Sequence, residues 1–153
     1  MGKRTRKNGF TLIEILVVIT VIGILGAVAI PIYMEQIIKA RLAEVTNAVS
    51  YIMSTLNQYH HNNFLNDEGS SGWPDCGSIA EIQTSLVVGL AGIGRISEAS
   101  VDRNTGTVSV AVTNINSRLD GSTITSTPSI NASDSSVSWK WGGTISLQYL
   151  PKG

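Results

Sequence analysis

From Phe10 to Met34 the chain runs almost wholly apolar, with one formal charge in it, Glu14. Wound as a helix, that run is about 37 Å long, enough to cross a hydrocarbon core of about 30 Å with some tilt. The pattern then tightens to a stripe. Ile38, Leu42, Val45, Val49, Ile52, Leu56 and Tyr59 recur at heptad spacing, while Lys39, Arg41, Glu44, Asn47, Ser50 and Asn57 fall off it. Together the two patterns predict one helix from Phe10 through His61, about 78 Å long. Its outer half needs a cover for the stripe, and the C-terminal part of the same chain is the natural one. A free coiled-coil dimer competes, with fewer than four heptads to support it. Glu35 and Lys39 stand in the favourable order for an i,i+4 pair. Asn62 and Asn63, followed by "NDEGSSGWPDCGS", predict the end of the helix and an exposed connection.

Beyond the connection, Ile79, Ile82, Leu86 and Leu90 suit a short helix, with Ser78 as N-cap and Glu81 three residues later. After Gly94 the period changes to two. "RISEASV" predicts a weak strand, "DRNTG" a turn, and Val108, Val110 and Val112 a clear strand. Asp120-Gly121 marks a turn, and residues 122 to 136 form a Ser/Thr-rich loop. Val137, Trp139 and Trp141 share one strand face, opposite Ser138 and Lys140. Gly142-Gly143 signals a two-residue hairpin, with Ile145, Leu147 and Tyr149 on the return strand. Four antiparallel strands with one apolar face complete an α+β fold in which the sheet covers the helix stripe. The tryptophan pair reads as core.

Composition adds orientation. Lys3, Arg4, Arg6 and Lys7 lie in the first nine residues, with no acid among them; from Phe10 onward seven basic residues face eleven acidic ones, a net −4. A body of that sign offers no footprint for nucleic acid. The basic head predicts a cytoplasmic N-terminus and an exported body. At 153 residues the chain has one domain's worth of core to bury. Cys76 is the single cysteine, which excludes an internal disulfide and suggests a small half-buried side chain, with an intermolecular bridge as the lesser alternative. His60 and His61 are adjacent, diverge on a helix, and read as solvated surface. No CxxC, HExxH, GxSxG or phosphate-cradling loop occurs, so no catalytic residue, metal or cofactor is expected. "NAS" at Asn131 matches a glycosylation acceptor and is weighed as chance.

Three readings of the front end remain: a secretory signal cut after "AVA" at residues 27–29, an uncleaved anchor, or a helix kept after removal of the basic lead alone, between Gly9 and Phe10. Glu14 separates them. An acid in a membrane segment is expensive and is by default a functional candidate with a partner to be named. No basic residue follows until Lys39. A cut before Phe10 creates an α-amino group four residues from Glu14, on one helical face or available to a neighbouring copy. The trimmed-helix reading therefore supplies the counter-charge.

The stretch "GFTLIEILVVITVIGILGAVAIPIY" resembles the N-terminal signature of type IV pilins and pseudopilins, over residues 1 to about 60. The resemblance implies a prepilin peptidase that cuts after Gly9 and methylates the amine of Phe10. It also implies that Glu14 pairs with the N-terminal amine of a neighbouring subunit during assembly. Gly23 and Pro31 stand where the family has a helix-weakening glycine and proline, and Gly26 adds to that weakening by its own low propensity; the stretch either kinks or loses helix when subunits pack, or its small residues serve close helix packing in lipid. "GRISEASVDRNTGTVSVAVTN" is similar to the first hairpin of a pilin head, and "WKW…YLPKG" to its end. Trp141 stands where the first cysteine of the family's disulfide loop is looked for, so a receptor role of such a loop does not carry over. The layout implied is a leader over residues 1–9, a membrane and filament-core helix half over 10–34, an amphipathic half over 35–62, a connection over 63–94 and a sheet head over 95–153. The product is a structural, non-enzymatic subunit of a homopolymeric filament. It is held first in the inner membrane, where it meets the peptidase and the assembly platform, and lies finally on the bacterial surface. A type II secretion pseudopilin is the near alternative, and an exported or membrane-anchored periplasmic binding domain the one from another class.

Overall fold

A computed structural model of the chain describes residues 9–66, 72–90, 93–131 and 136–151. Its contacts divide into two units, one ending at Ile37 and the other starting at Ile38. One helix, α1 (Leu12–Asn66), runs through both. It stays helical across Gly23, Gly26 and Pro31. It also outlasts the expected stop at Asn62-Asn63. Asparagine costs only a few tenths of a kcal/mol in a helix, and no glycine or proline intervenes before Gly69.

In the first unit, from Thr11 to Gln36, every side chain is exposed. Leu12, Ile24, Leu25 and Ile30 are each about two-thirds open or more, so the helix is apolar on all sides with no described residue of its own unit covering it.

The second unit buries a stripe. Leu42, Val45, Val49, Ile52 and Leu56 are at most 1% exposed, and Ile38 and Tyr59 pack half-buried at its ends. They join one core with the inner face of an antiparallel meander of β1 (Ile96–Val101), β2 (Val108–Val112), β3 (Thr123–Ile130) and β4 (Val137–Gly143). Val110 pairs with Ala99 on one side and Ile124 on the other, which sets the apolar residues of three strands in register. A bulge between Ile96 and Glu98 lets Ile96 and Ala99, three apart, both turn inward. That bulge is why "RISEASV" alternates poorly.

The four strands are not the four expected. The Ser/Thr-rich stretch read as a loop is β3, paired on both sides. Threonine suits a strand, and the inward positions Ile124 and Ser126 are covered by neighbours. The Ser126 hydroxyl donates to the Met53 sulfur at 2.9 Å. Pro128 is tolerated because β2 has already ended opposite Ser126, so no ladder bond is asked of it from that side. Gly142 and Gly143 do not form a hairpin; they end β4, opposite Thr125 and Ile124. At Gly143 the backbone has φ +122° and a Cβ would collide with the Thr123 carbonyl. The expected return strand is instead a bend and a 3-10 turn, Leu147–Tyr149, with Ile145 and Leu150 buried.

The short helix α2 (Ile79–Ser85) starts as expected: the Ser78 hydroxyl accepts from the Glu81 N–H at 3.3 Å, and the Glu81 carboxylate accepts from the Gly77 N–H at 2.6 Å. It ends early. Val87 takes φ +53°, and Leu86, Val88 and Leu90 are buried from irregular chain, not from one helix face. Cys76 is fully buried and free, its backbone paired with Val101. Burial pushes its thiol pKa up; a bond to Ser85 opposes this, and the Glu81 and Asp75 carboxylates add to it.

His60, expected in solvent, stacks on Trp73 with ring centroids 5.0 Å apart, and Trp139 meets the same ring edge-on at 6.0 Å. Trp139 Nε1 donates to Asn57 Oδ1 at 2.9 Å, and Trp141 also packs half-buried against the core. Among the described residues Glu35 and Lys39 form no ion pair; Glu44 and Arg95 do, at 2.5 Å. Asn131 closes on Ser136 through a 2.9 Å backbone bond, and the rest of its acceptor triplet lies outside the described residues.

Candidate functional site

The start of α1 is built by Thr11. Its hydroxyl accepts the Glu14 N–H at 3.3 Å, and Glu14 Oε2 accepts the Thr11 N–H at 2.9 Å and the Thr11 hydroxyl at 2.7 Å. This is a reciprocal capping box. Two of the helix's orphan donors are satisfied, and the negative charge sits at the positive end of the helix dipole. Glu14 therefore has a hydrogen-bond partner inside its own chain, so leader removal is not the sole source of one; the T-x-x-E spacing is visible in the sequence. Thr11 is the residue that sequence reasoning missed.

Immediately before the cap, Gly9 and Phe10 are non-helical and exposed. Phe10 is 80% open and nothing lies within 4 Å of where a Gly9 side chain would be. Among the described residues nothing crowds the bond between them, and it lies outside the helical hydrogen-bond ladder. After the cap, Thr20 returns its hydroxyl to the Leu16 carbonyl at 2.7 Å, so that polar group is satisfied within the helix. Pro31 has no N–H for the Ala27 carbonyl, one turn earlier. Gly23 and Gly26 have no neighbour within 4 Å of an added Cβ. Seven positions, Ile38 to Tyr59, form the packing stripe of the second unit and take no part in this cluster.

A groove of about 510 Å³ over the outer sheet face is lined by small residues such as Ser97, Ser100, Ser109 and Ala111, with Glu98 at its side. Among the described residues no three of His, Cys, Asp and Glu gather as metal ligands would. Asp102 is a turn-former. Its Oδ1 accepts from the Asn104 and Thr105 N–H groups at 2.8 Å each and from the Thr105 hydroxyl at 3.1 Å, which holds its carboxyl below the ordinary value.

The described residues combine an all-round apolar helix start with a helix-on-meander body. Residues 4–30 match the prokaryotic N-terminal methylation motif, and residues 39–153 match the family described as pilin (bacterial filament). The chain is 30% identical to fimbrial protein EcpC of Eikenella corrodens, over 99% of this chain and 92% of that one. It is 27% identical to the type IV major pilin protein PilE of Neisseria gonorrhoeae, over 92% of this chain and 77% of that one. A fimbrial protein of Neisseria meningitidis serogroup A matches at the same identity over 92% of this chain. The chain belongs to the type IV pilin family: it is a structural pilus subunit, of a family whose members assemble into filaments.

Proposed function

We propose that the chain is made as a precursor whose basic leader stays in the cytoplasm while residues 10–34 span the inner membrane. A prepilin peptidase cuts between Gly9 and Phe10, and Phe10 is N-methylated. The assembly platform then draws the subunit into an extracellular filament on the bacterial surface. The observation that carries this reading is a helix half exposed on every apolar side, preceded by an open Gly9–Phe10 bond. Such a surface is stable in two settings, lipid or a bundle of equally apolar helices. Filament growth exchanges one for the other.

Glu14 guides the exchange in this reading. A carboxylate left without a cation in an apolar bundle carries a cost that the free Phe10 amine of a neighbour relieves, which sets the axial register between subunits. Gly23, Gly26 and Pro31 weaken the helix between them, so this is where it yields when subunits pack. The names of the matched relatives support a pilus over a secretion pseudopilus. No catalytic role enters. Mass analysis of the N-terminus in a sheared surface fraction tests the scheme. It predicts a start at N-methylated Phe10; recovery of chains starting at Met1 or Ile30 overturns it.

A further inference from the structure

Of the seven basic residues from Phe10 onward, four gather where α1 enters the second unit. Arg41 Nη1 donates to the Ile115 carbonyl at 2.5 Å, and Arg95 Nη1 to the adjoining Asn114 carbonyl at 2.8 Å. Two guanidiniums thus grip consecutive carbonyls of one loop. Lys39 stands two residues before Arg41, and Arg118 lies in the turn that follows Ile115. Both are exposed, and among the described residues neither side chain has a hydrogen bond or ion pair. Within the unit two acids share this place, and both are occupied. Glu44 pairs with Arg95, and Asp120 accepts the Ile115 and Asn116 N–H groups at 2.8 and 3.2 Å. A chain that is acidic overall from Phe10 onward therefore carries a cationic cluster here, with most of the Arg41 and Arg95 donors uncommitted among the described residues.

We propose that this cluster is a docking surface for the phosphates of anionic phospholipids, met by the unassembled subunit at the membrane face where the apolar run emerges. The inference rests on the proposed membrane span of residues 10–34 and names what the adjoining surface of the second unit holds. Lys39 follows Met34, the end of that run, by five residues, so the cluster is continuous along the chain with the lipid-embedded segment. The charges are complementary. A guanidinium fork takes two phosphate oxygens at once, and each cation near an anionic surface adds an attraction that fades within a Debye length. Lipid is favoured over an acidic face of a second copy because it lies beside the cluster before any copy arrives.

Ser117 is exposed beside Arg118, and Cys76 is buried, so Ser117→Cys on the full chain takes an uncharged fluorophore at one place. The labelled chain is put into phospholipid nanodiscs holding a constant fraction of lipid with a nitroxide on its headgroup. Phosphatidylglycerol replaces phosphatidylcholine in steps, and quenching reports contact with the headgroups. Quenching should rise with phosphatidylglycerol, and the rise should vanish at about 1 M salt, where the screening length is about 3 Å. The contact constant should fall about fivefold for Lys39→Gln and about as much again for Arg118→Gln, two side chains that hold no part of the fold. Arg103→Gln with Lys140→Gln removes the same charge from exposed sites outside the cluster and should leave the constant unchanged. Quenching indifferent to phosphatidylglycerol overturns the inference, as does an equal loss in the Arg103 and Lys140 variant, which reduces the effect to net charge. So does quenching that tracks the number of chains per disc, which assigns the cluster to a second copy. In each of these results the chain still inserts, and the membrane reading stands. A chain that enters no disc of any composition overturns that reading together with the docking surface.

Discussion

The two halves of α1 share a secondary structure and differ in what they ask of their surroundings. Leu16 is 53% exposed and Leu56 is fully buried, although both are leucines inside one unbroken helix. In residues 12–36 apolar side chains occupy every face, so no single sheet could cover them. From Ile38 on they keep to a stripe about as wide as a sheet face. The difference teaches that hydrophobic arrangement, more than hydrophobic content, decides whether a helix is completed by its own chain or by something outside it.

If this comparison holds, equal truncations in the two halves have unequal effects. Ile52→Ala should destabilise the second unit by about 2–5 kcal/mol, because it empties a fully buried position. Ile24→Ala, which removes the same atoms from a side chain 64% exposed, should leave the melting of that unit unchanged. Thermal melts followed by near-ultraviolet circular dichroism, on the full chain in detergent, check both. Equal losses would dissolve the distinction between the halves.

A smaller effect sharpens the account of how the second unit holds itself. Gly106 has φ +69°, and a side chain there meets the Trp73 ring directly. Trp73 in turn contacts His60 on α1 and Trp139 on β4, so one ring ties three segments of the unit. Gly106→Ala should cost about 1–3 kcal/mol through backbone strain and displacement of that ring. The matching sign is a changed near-ultraviolet tryptophan band. Gly26→Ala in the first half, with a helical backbone and nothing within 4 Å, should not destabilise the chain.

The smallest effect is a pH dependence confined to the second unit. Asp102 has its folded pKa depressed, mainly by the Thr105 and Asn104 backbone donors, so its contribution is present above its ordinary value of 3.8. That contribution is lost as pH falls through the depressed folded value. Asp102→Asn should therefore lower the melting temperature slightly at neutral pH. The gap to the unaltered chain should close once the pH drops well below 3.8. A gap that persists in acid would assign the loss to geometry in place of charge.

Much of this was legible beforehand, for reasons that differ by element. The stripe from Ile38 to Tyr59 was legible because helical period and burial coincide there. The Ser78 cap of α2 was legible because capping is local, and by the same rule Thr11 should have been found with Glu14. The strands were harder. The alternation at Val108, Val110 and Val112 is self-evident, but β3 carries only Ile124 and Ser126 inward over its first half, and its composition is that of a loop. Ile145, Leu147 and Tyr149 alternate like a strand, yet that segment forms no strand. The strand count agreed while the segments differed.

The residue order alone determined the charge asymmetry about Gly9, the length of the apolar run, the stripe and the helix caps, since each depends on neighbours within a turn or two. Tertiary structure decided which polar stretch became β3, why Gly142-Gly143 closes a strand, and where His60 rests. Those outcomes depend on backbone hydrogen bonds and ring contacts offered by segments distant in the chain, and a strand's ladder partners leave no mark on its own side chains.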